Sequence, residues 1–250
     1  MKVDILASGS RGNCIALSSG TKTILIDVGV AKTKIEKRLL EVGIRPDQVV
    51  AIFITHAHGD HIKGVPLANK YKIPIYAGEG EWSSIKGVDE ELIHYVSSDQ
   101  TVHVIDQFEI DAFPVHHDSY EPYGYAIYDS ISKKQCSICL DTGKVDDNML
   151  HFMGDSDYYI IEANHEPNMV EVSDYPVSTK ARILSHIGHL SNEQTAEALK
   201  QLVRGRGEKI YLTHLSSKNN LPALAEMTVI RALDKKGFKQ GTHYHLEVIE

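Results

Sequence analysis

Apolar and polar positions along the 250-residue chain change period repeatedly, and the changes mark out elements. Runs rich in Ile, Val and Tyr, bounded by Gly, Asp, Asn or Pro, predict strands at Lys2–Ala7, Cys14–Ser18, Thr23–Asp27, Val49–Thr55, Ile73–Tyr76, Phe108–Val115, Tyr123–Tyr128, Gln135–Leu140, Tyr158–Glu162, Lys209–Thr213 and Tyr244–Ile249. Helical spacing predicts three more elements. Ile35, Leu39 and Val42 fall on one face of Ala31–Val42, which Gly43 ends. Ala196, Leu199, Leu202 and Val203 make a stripe on Asn192–Val203, opened by a Ser191/Gln194 capping box. In Leu221–Lys235 the spacing selects Leu224, Thr228, Arg231 and Leu233, ahead of Gly237. Strands mixed with helices from end to end, with no repeat, low-complexity tract or linker, predict a layered α/β fold in a single domain, 1–250.

One predicted strand carries chemistry. Val49-Val50-Ala51-Ile52-Phe53-Ile54 is a continuous apolar run, the pattern of a strand buried on both faces. It is followed by Thr55-His56-Ala57-His58-Gly59-Asp60-His61. In an extended segment His56 and His58 point the same way, and Gly59 permits a sharp turn before Asp60 and His61. Imidazole and carboxylate together suit Zn, Mn, Fe or Co rather than Ca. Other ligand types also stand where apolar strands stop: His117 after Phe113-Pro114-Val115, Asp141 after Ile138-Cys139-Leu140, and His214 after Ile210-Tyr211-Leu212-Thr213. Open α/β sheets bind ligands in that position.

Composition adds three constraints. An apolar content of 42% supports a sizeable core. No apolar run reaches membrane-span length, and a charge at Lys2 comes too early for a secretory leader, so a cytoplasmic protein is expected. Cys14, Cys136 and Cys139 make no disulfide framework, which fits the same compartment. On a strand Cys136 and Cys139 face opposite sides and read as packed thiols. The net charge of −8 argues against a long nucleic-acid footprint, although bound metals supply positive charge that formal counting misses. The 14 histidines, about twice an ordinary share, call for an explanation.

In order and spacing, His56-x-His58-x-Asp60-His61, His117, Asp141 and His214 resemble the metallo-β-lactamase superfamily. The resemblance implies a four-layer αββα sandwich. It implies two divalent metal ions, Zn first and Mn second, with His56, His58 and His117 on one, Asp60, His61 and His214 on the other, and Asp141 bridging. Ser8-Gly9-Ser10-Arg11-Gly12-Asn13, Glu162-x-Asn164-His165 and Gly188-His189-Leu190-Ser191-Asn192 look like the YycJ type and the phage anti-Pycsar phosphodiesterases; both groups are similar to tRNase Z. A tRNase Z arm and an RNase J-type extra domain are absent from the sequence.

The resemblance implies phosphodiester hydrolysis by a metal-bridged hydroxide. His189 is expected to act as the acid for the leaving oxygen, just before a helix whose N-terminus offers an anion site. Glu162 orients His189, and Asp60 counts with them as catalytic. Ser216, Tyr125 and His165 are expected as substrate contacts, with a turn, the core and a place behind the ligands as their respective alternatives. His116 adjoins His117, and spacing to Glu121-Pro122 favours His117 as the ligand. Three readings follow. The first is hydrolysis of cyclic mononucleotides such as cCMP and cUMP, with cAMP and cGMP as further candidates, by a homodimer in the cytoplasm (the host's, if phage-encoded). The second is a YycJ-type 5′→3′ double-stranded DNA exonuclease, with nucleic acid as partner. The third is a non-catalytic metal-binding module. None involves a membrane.

Overall fold

The predicted strands form, with boundaries shifted by a residue or two. In the computed structural model, which describes residues 1–249, they fall into two sheets, and the chain divides into two compact units. The first unit comprises Met1–Ala112 and Ser119–Lys134. It opens with β1 (Lys2–Ala7), β2 (Cys14–Ser19) and β3 (Lys22–Ile26), an antiparallel meander. Then come α1 (Lys32–Glu41), β4 (Val49–Phe53), α2 (Gly59–Ile62), α3 (Pro66–Tyr71), β5 (Ile75–Ala77) and β6 (Ile93–Tyr95). The sheet order is β1-β2-β3-β4-β5-β6, parallel from β3 onward. Parallel neighbours need crossovers, and the helices lie in them. On α1, Ile35 and Leu39 are buried as the period requires, and Gly43 follows at φ 83°. The unit also holds β7 (Val102–Val104), β8 (from Phe108 to Pro114) as far as Ala112, paired antiparallel with β7, and β9 (Tyr123–Asp129).

The second unit comprises Phe113–Asp118 and the chain from Gln135 onward. Its strands β10 (Lys134–Cys139), β11 (Tyr158–Glu162), β12 (Glu208–Thr213) and β13 (Tyr244–Val248) run parallel, in the order β13-β12-β11-β10. Between them lie α4 (Asp147–Met153), α5 (Pro167–Val172), α6 (Val177–Ile183), α7 (Asn192–Leu202) and α8 (Pro222–Lys235). Because β10, β11 and β12 are adjacent and parallel, their C-terminal ends share one edge of the sheet.

Two expectations need correction. On α8 the buried face is Ala225, Val229 and Leu233, while Leu224 is exposed. Leu233 is buried as predicted, but the spacing through Leu224 and Thr228 runs one position off the face that Ala225 and Val229 bury. At the start of α7 the capping box is present, with the Ser191 hydroxyl accepting from Gln194 N and the Gln194 side chain accepting from Ser191 N. Asn192 N in turn donates to the His165 carbonyl. These donors are taken, which leaves Glu193 N as the first-turn amide that could meet an anion. Among the described residues no helix is long and apolar enough to cross a membrane.

Candidate metal centre

In the first unit, strands β3 and β4 end side by side, and their ends build a histidine cluster. Asp27 follows β3 at φ 58° and is fully buried. Its carboxylate accepts from Thr55 N at 2.8 Å and from the Thr55 hydroxyl at 2.9 Å. It also lies 2.7 Å from His61 Nδ1. A histidine that gives one N–H to a carboxylate keeps the lone pair of its other nitrogen for a metal. That nitrogen, His61 Nε2, faces Asn13 Nδ2 at 3.1 Å and Asp60 at 3.8 Å. His56 Nε2 and His58 Nδ1 approach to 2.9 Å, and the His56 and His61 rings are 4.0 Å apart. Three imidazoles and a carboxylate thus converge, a donor set that fits Zn or Mn.

The chain turns at Gly59, which opens α2 with His61 N donating to the His58 carbonyl at 2.9 Å, but open space where a Cβ would sit means that the turn does not require glycine there. The glycine that the site requires is Gly29, where a Cβ would come within 1.6 Å of the Asp60 carbonyl. Asn13 N donates to that same carbonyl and Gly29 N to the Asn13 carbonyl, at 2.8 and 2.7 Å. The Gly-rich loop therefore grips the Asp60-His61 turn from beneath.

In the second unit, the shared edge of β10, β11 and β12 delivers Asp141, Glu162 and His214. With His189 they offer ligand atoms all within 4.8 Å of one another. Asp141 and His214 take φ of 48° and 54°, strained values for residues with a Cβ and typical of functional positions. His214 Nδ1 is 2.7 Å from Asp141. His189 Nδ1 lies 3.1 Å from both Asp141 and Glu162. Burial disfavours the imidazolium of His189, but these two carboxylates outweigh it and hold its pKa up to about 9. Burial works against ionised Glu162 as well, and His189 more than offsets it, so the Glu162 carboxyl stays below its usual range. His189 Nε2 makes no hydrogen bond to a described residue. His117 sits beside His189, with ring centroids 5.3 Å apart, and its Nδ1 meets the Gly188 carbonyl at 3.1 Å. Burial pushes the His117 imidazole down. His116 turns elsewhere, to Asp146 at 2.6 Å, so His117 is the member of the pair that joins the ring cluster.

The expected substrate contacts separate. Tyr125 is a correction: it is fully buried, its hydroxyl donates to the Ile54 carbonyl at 2.6 Å, and its ring has no surface to offer a nucleotide. Ser216 is half-buried, and its hydroxyl accepts from Asn219 N at 3.1 Å in a turn. His165 is 1% exposed with Nδ1 lacking a partner, and burial lowers its pKa to about 4. Sequence reasoning missed Asn13, Asp27 and Thr55. Asp27 carried a signal, an acid closing an apolar strand as Asp141 does; Asn13 and Thr55 stood inside the Gly-rich and histidine motifs, but nothing in the sequence gave either a contact to His61.

Residues 22–215 match the Beta-lactamase superfamily domain. The chain is 38% identical to exodeoxyribonuclease WalJ of Streptococcus pneumoniae over 97% of its own length and 92% of that protein's. It is 35% identical to exodeoxyribonuclease YycJ of Bacillus anthracis over the same shares. Among solved structures, the metallo-β-lactamase fold protein YhfI from Bacillus subtilis superposes with a TM-score of 0.73 at 17% identity, covering 99% of this chain and 95% of that one. Two sheets with interspersed helices, ligand-type side chains where strands stop and end-to-end likeness to YycJ and WalJ lead to one placement: the chain belongs to the metallo-β-lactamase superfamily.

Proposed function

We propose that this chain is a metal-dependent exodeoxyribonuclease acting 5′→3′ on double-stranded DNA. The observation that carries the reading is its likeness, over 97% of its length, to two proteins that are exodeoxyribonucleases. That likeness favours DNA over cyclic mononucleotides as substrate. In the proposal His56, His58 and His117 would hold one metal and Asp60, His61 and His214 a second, with Asp141 a ligand that both could share, as the family pattern assigns them; zinc is the first choice and manganese the second. When bound, such metals acidify water and offset charge on the non-bridging phosphate oxygens.

The chain's own groups have distinct tasks. Asp27 orients His61. Glu162 holds Nδ1 of His189 at 3.1 Å, which turns Nε2 outward as the proton donor to the leaving oxygen. Ser216 is assigned to a phosphate oxygen, while His165, 1% exposed and with a ring nitrogen lacking a protein partner, is assigned to the place behind the ligands. A cytoplasmic location and homodimeric assembly belong to the same proposal.

The test is a panel of 5′-labelled duplex DNA and 3′,5′-cyclic mononucleotides, assayed with Zn and with Mn. Stepwise loss of nucleotides from the 5′ end is expected, with cyclic nucleotides left intact. Asp141→Ala should lose activity by on the order of 10³, as removal of one electrostatic stabiliser does elsewhere. Hydrolysis of cyclic nucleotides with intact DNA ends would overturn the proposal.

A further inference from the structure

Outside the ligand-type residues, the first unit buries one carboxylate with no cation beside it. Glu81 is fully buried in a short helical turn, Glu79–Ser83. Among the described residues it makes no ion pair. Its oxygens accept from Ala57 N at 2.7 Å, from the Ser119 hydroxyl at 2.7 and 2.8 Å, and from Glu121 N at 2.6 Å. Every contact comes from a donor, which matches an acceptor-only group. Three donors share its two oxygens, and among the described residues Glu81 is not one of the side chains whose ligand atoms converge within 4.8 Å of one another.

Ala57 is the peptide between His56 and His58. The chain there leaves the core, His56 being buried and Ala57 and His58 only half-buried. Beyond β4 no strand neighbour takes the Ala57 N–H; Glu81 does. The same carboxylate grips Ser119 and Glu121, in the stretch that follows His117 in sequence. Glu121 returns the grip on the other side, accepting from Gly80 N at 2.8 Å and from the Tyr123 hydroxyl at 2.7 Å. Gly78 and Gly80 allow this approach, because a Cβ on Gly78 would meet the Glu121 carbonyl at 2.9 Å and one on Gly80 would meet the Tyr120 Cβ at 3.2 Å.

We infer that Glu81 is a positioning residue for metal binding: by holding the Ala57 amide it sets the separation and orientation of the His56 and His58 imidazoles before a metal arrives. The inference rests on the proposal that these two histidines are ligands. A preset loop binds without the entropy loss of ordering two free side chains, and groups behind metal ligands typically alter affinity by about 10–100-fold when removed.

The experiment titrates metal-free full-length protein with Zn²⁺ against a chromophoric chelator and records the visible spectrum of the Co²⁺ form. Wild type, His58→Ala and Glu81→Gln are compared, with far-ultraviolet circular dichroism as the fold control. In Glu81→Gln an amide NH2 faces the same donors, so zinc affinity should fall by about 10–100-fold and the Co²⁺ bands should shift or broaden while the fold signal stays. A role in stability alone lowers the melting temperature and leaves affinity and spectrum unchanged, which overturns the inference. If His58→Ala binds zinc as wild type does, the ligand assignment fails instead. Should Glu81→Gln not fold, amide hydrogen exchange of metal-free wild type decides: Ala57 N–H protected like the β4 amides supports the tether, and free exchange refutes it.

Discussion

Asp27 shows how much one side chain organises at this site. It spends one oxygen on Thr55 N and the other on His61 Nδ1, so it both ends a strand and sets a tautomer. Replacing it by Asn keeps the shape but offers an amide hydrogen where an acceptor is needed. Asp27→Asn is therefore expected to weaken zinc binding by about 10–100-fold, measurable by chelator competition on folded protein; unchanged affinity would remove Asp27 from the site. Gly29 is the steric counterpart. A methyl group there meets the Asp60 carbonyl at 1.6 Å, which no rotamer relieves. Gly29→Ala should destabilise the protein by about 3 kcal/mol, the upper range of overpacking, read from urea unfolding. A midpoint equal to wild type would show that the Asp60 turn yields without cost. Neither role is visible in the residue's own sequence neighbourhood, because the partner lies more than 25 positions away in each case.

Among elements, predictions made from period and end signals hold where one strong face exists. Strand β11 matches its predicted span of Tyr158–Glu162, and the Ser191/Gln194 box opens α7. They run one position off on α8, where Ala225 and Val229 rather than Leu224 and Thr228 lie on the buried face. They also miss β6 and β7, three-residue strands whose pairing depends on neighbours rather than on their own pattern. The end of β9 carries a pH-dependent device. Asp129 is buried, accepts from Ile131 N at 3.1 Å and from Ser132 N at 3.3 Å, and closes the turn to β10. Burial raises its pKa, but hydrogen bonds from Ser132, Ser19 and Ile131 outweigh that, and the net shift is downward. A carboxylate depressed in the folded state stabilises fully above its unfolded pKa of about 3.9 and loses that contribution as pH falls below it. Asp129→Asn is thus expected to cost about 1 kcal/mol at pH 7 and to draw closer to wild type as pH falls below about 3.9. Denaturant melts at neutral and acid pH test this, and a gap that widens in acid contradicts it.

For the whole molecule, the charge of −8 bears on how the proposed DNA substrate would be held. A protein that neutralises few phosphates directly should show a shallow salt dependence. The logarithm of duplex affinity against the logarithm of salt is expected to fall with a slope no steeper than about −4, about four phosphates; a slope near −8 would reveal a long basic track. The sequence by itself determined the strand-helix order, the His56–His61 motif, the candidate ligands at strand ends and the superfamily, because these are local patterns of period, spacing and residue type. Tertiary structure alone decided that Asp27, Asn13 and Thr55 converge on His61, that Tyr125 is spent on the core, and that His189 shares Asp141 and Glu162. Those outcomes depend on which strands lie adjacent and in what register. One-dimensional spacing carries no such information, and the low-dielectric environment that shifts His189 and Glu162 exists only once the strands have come together.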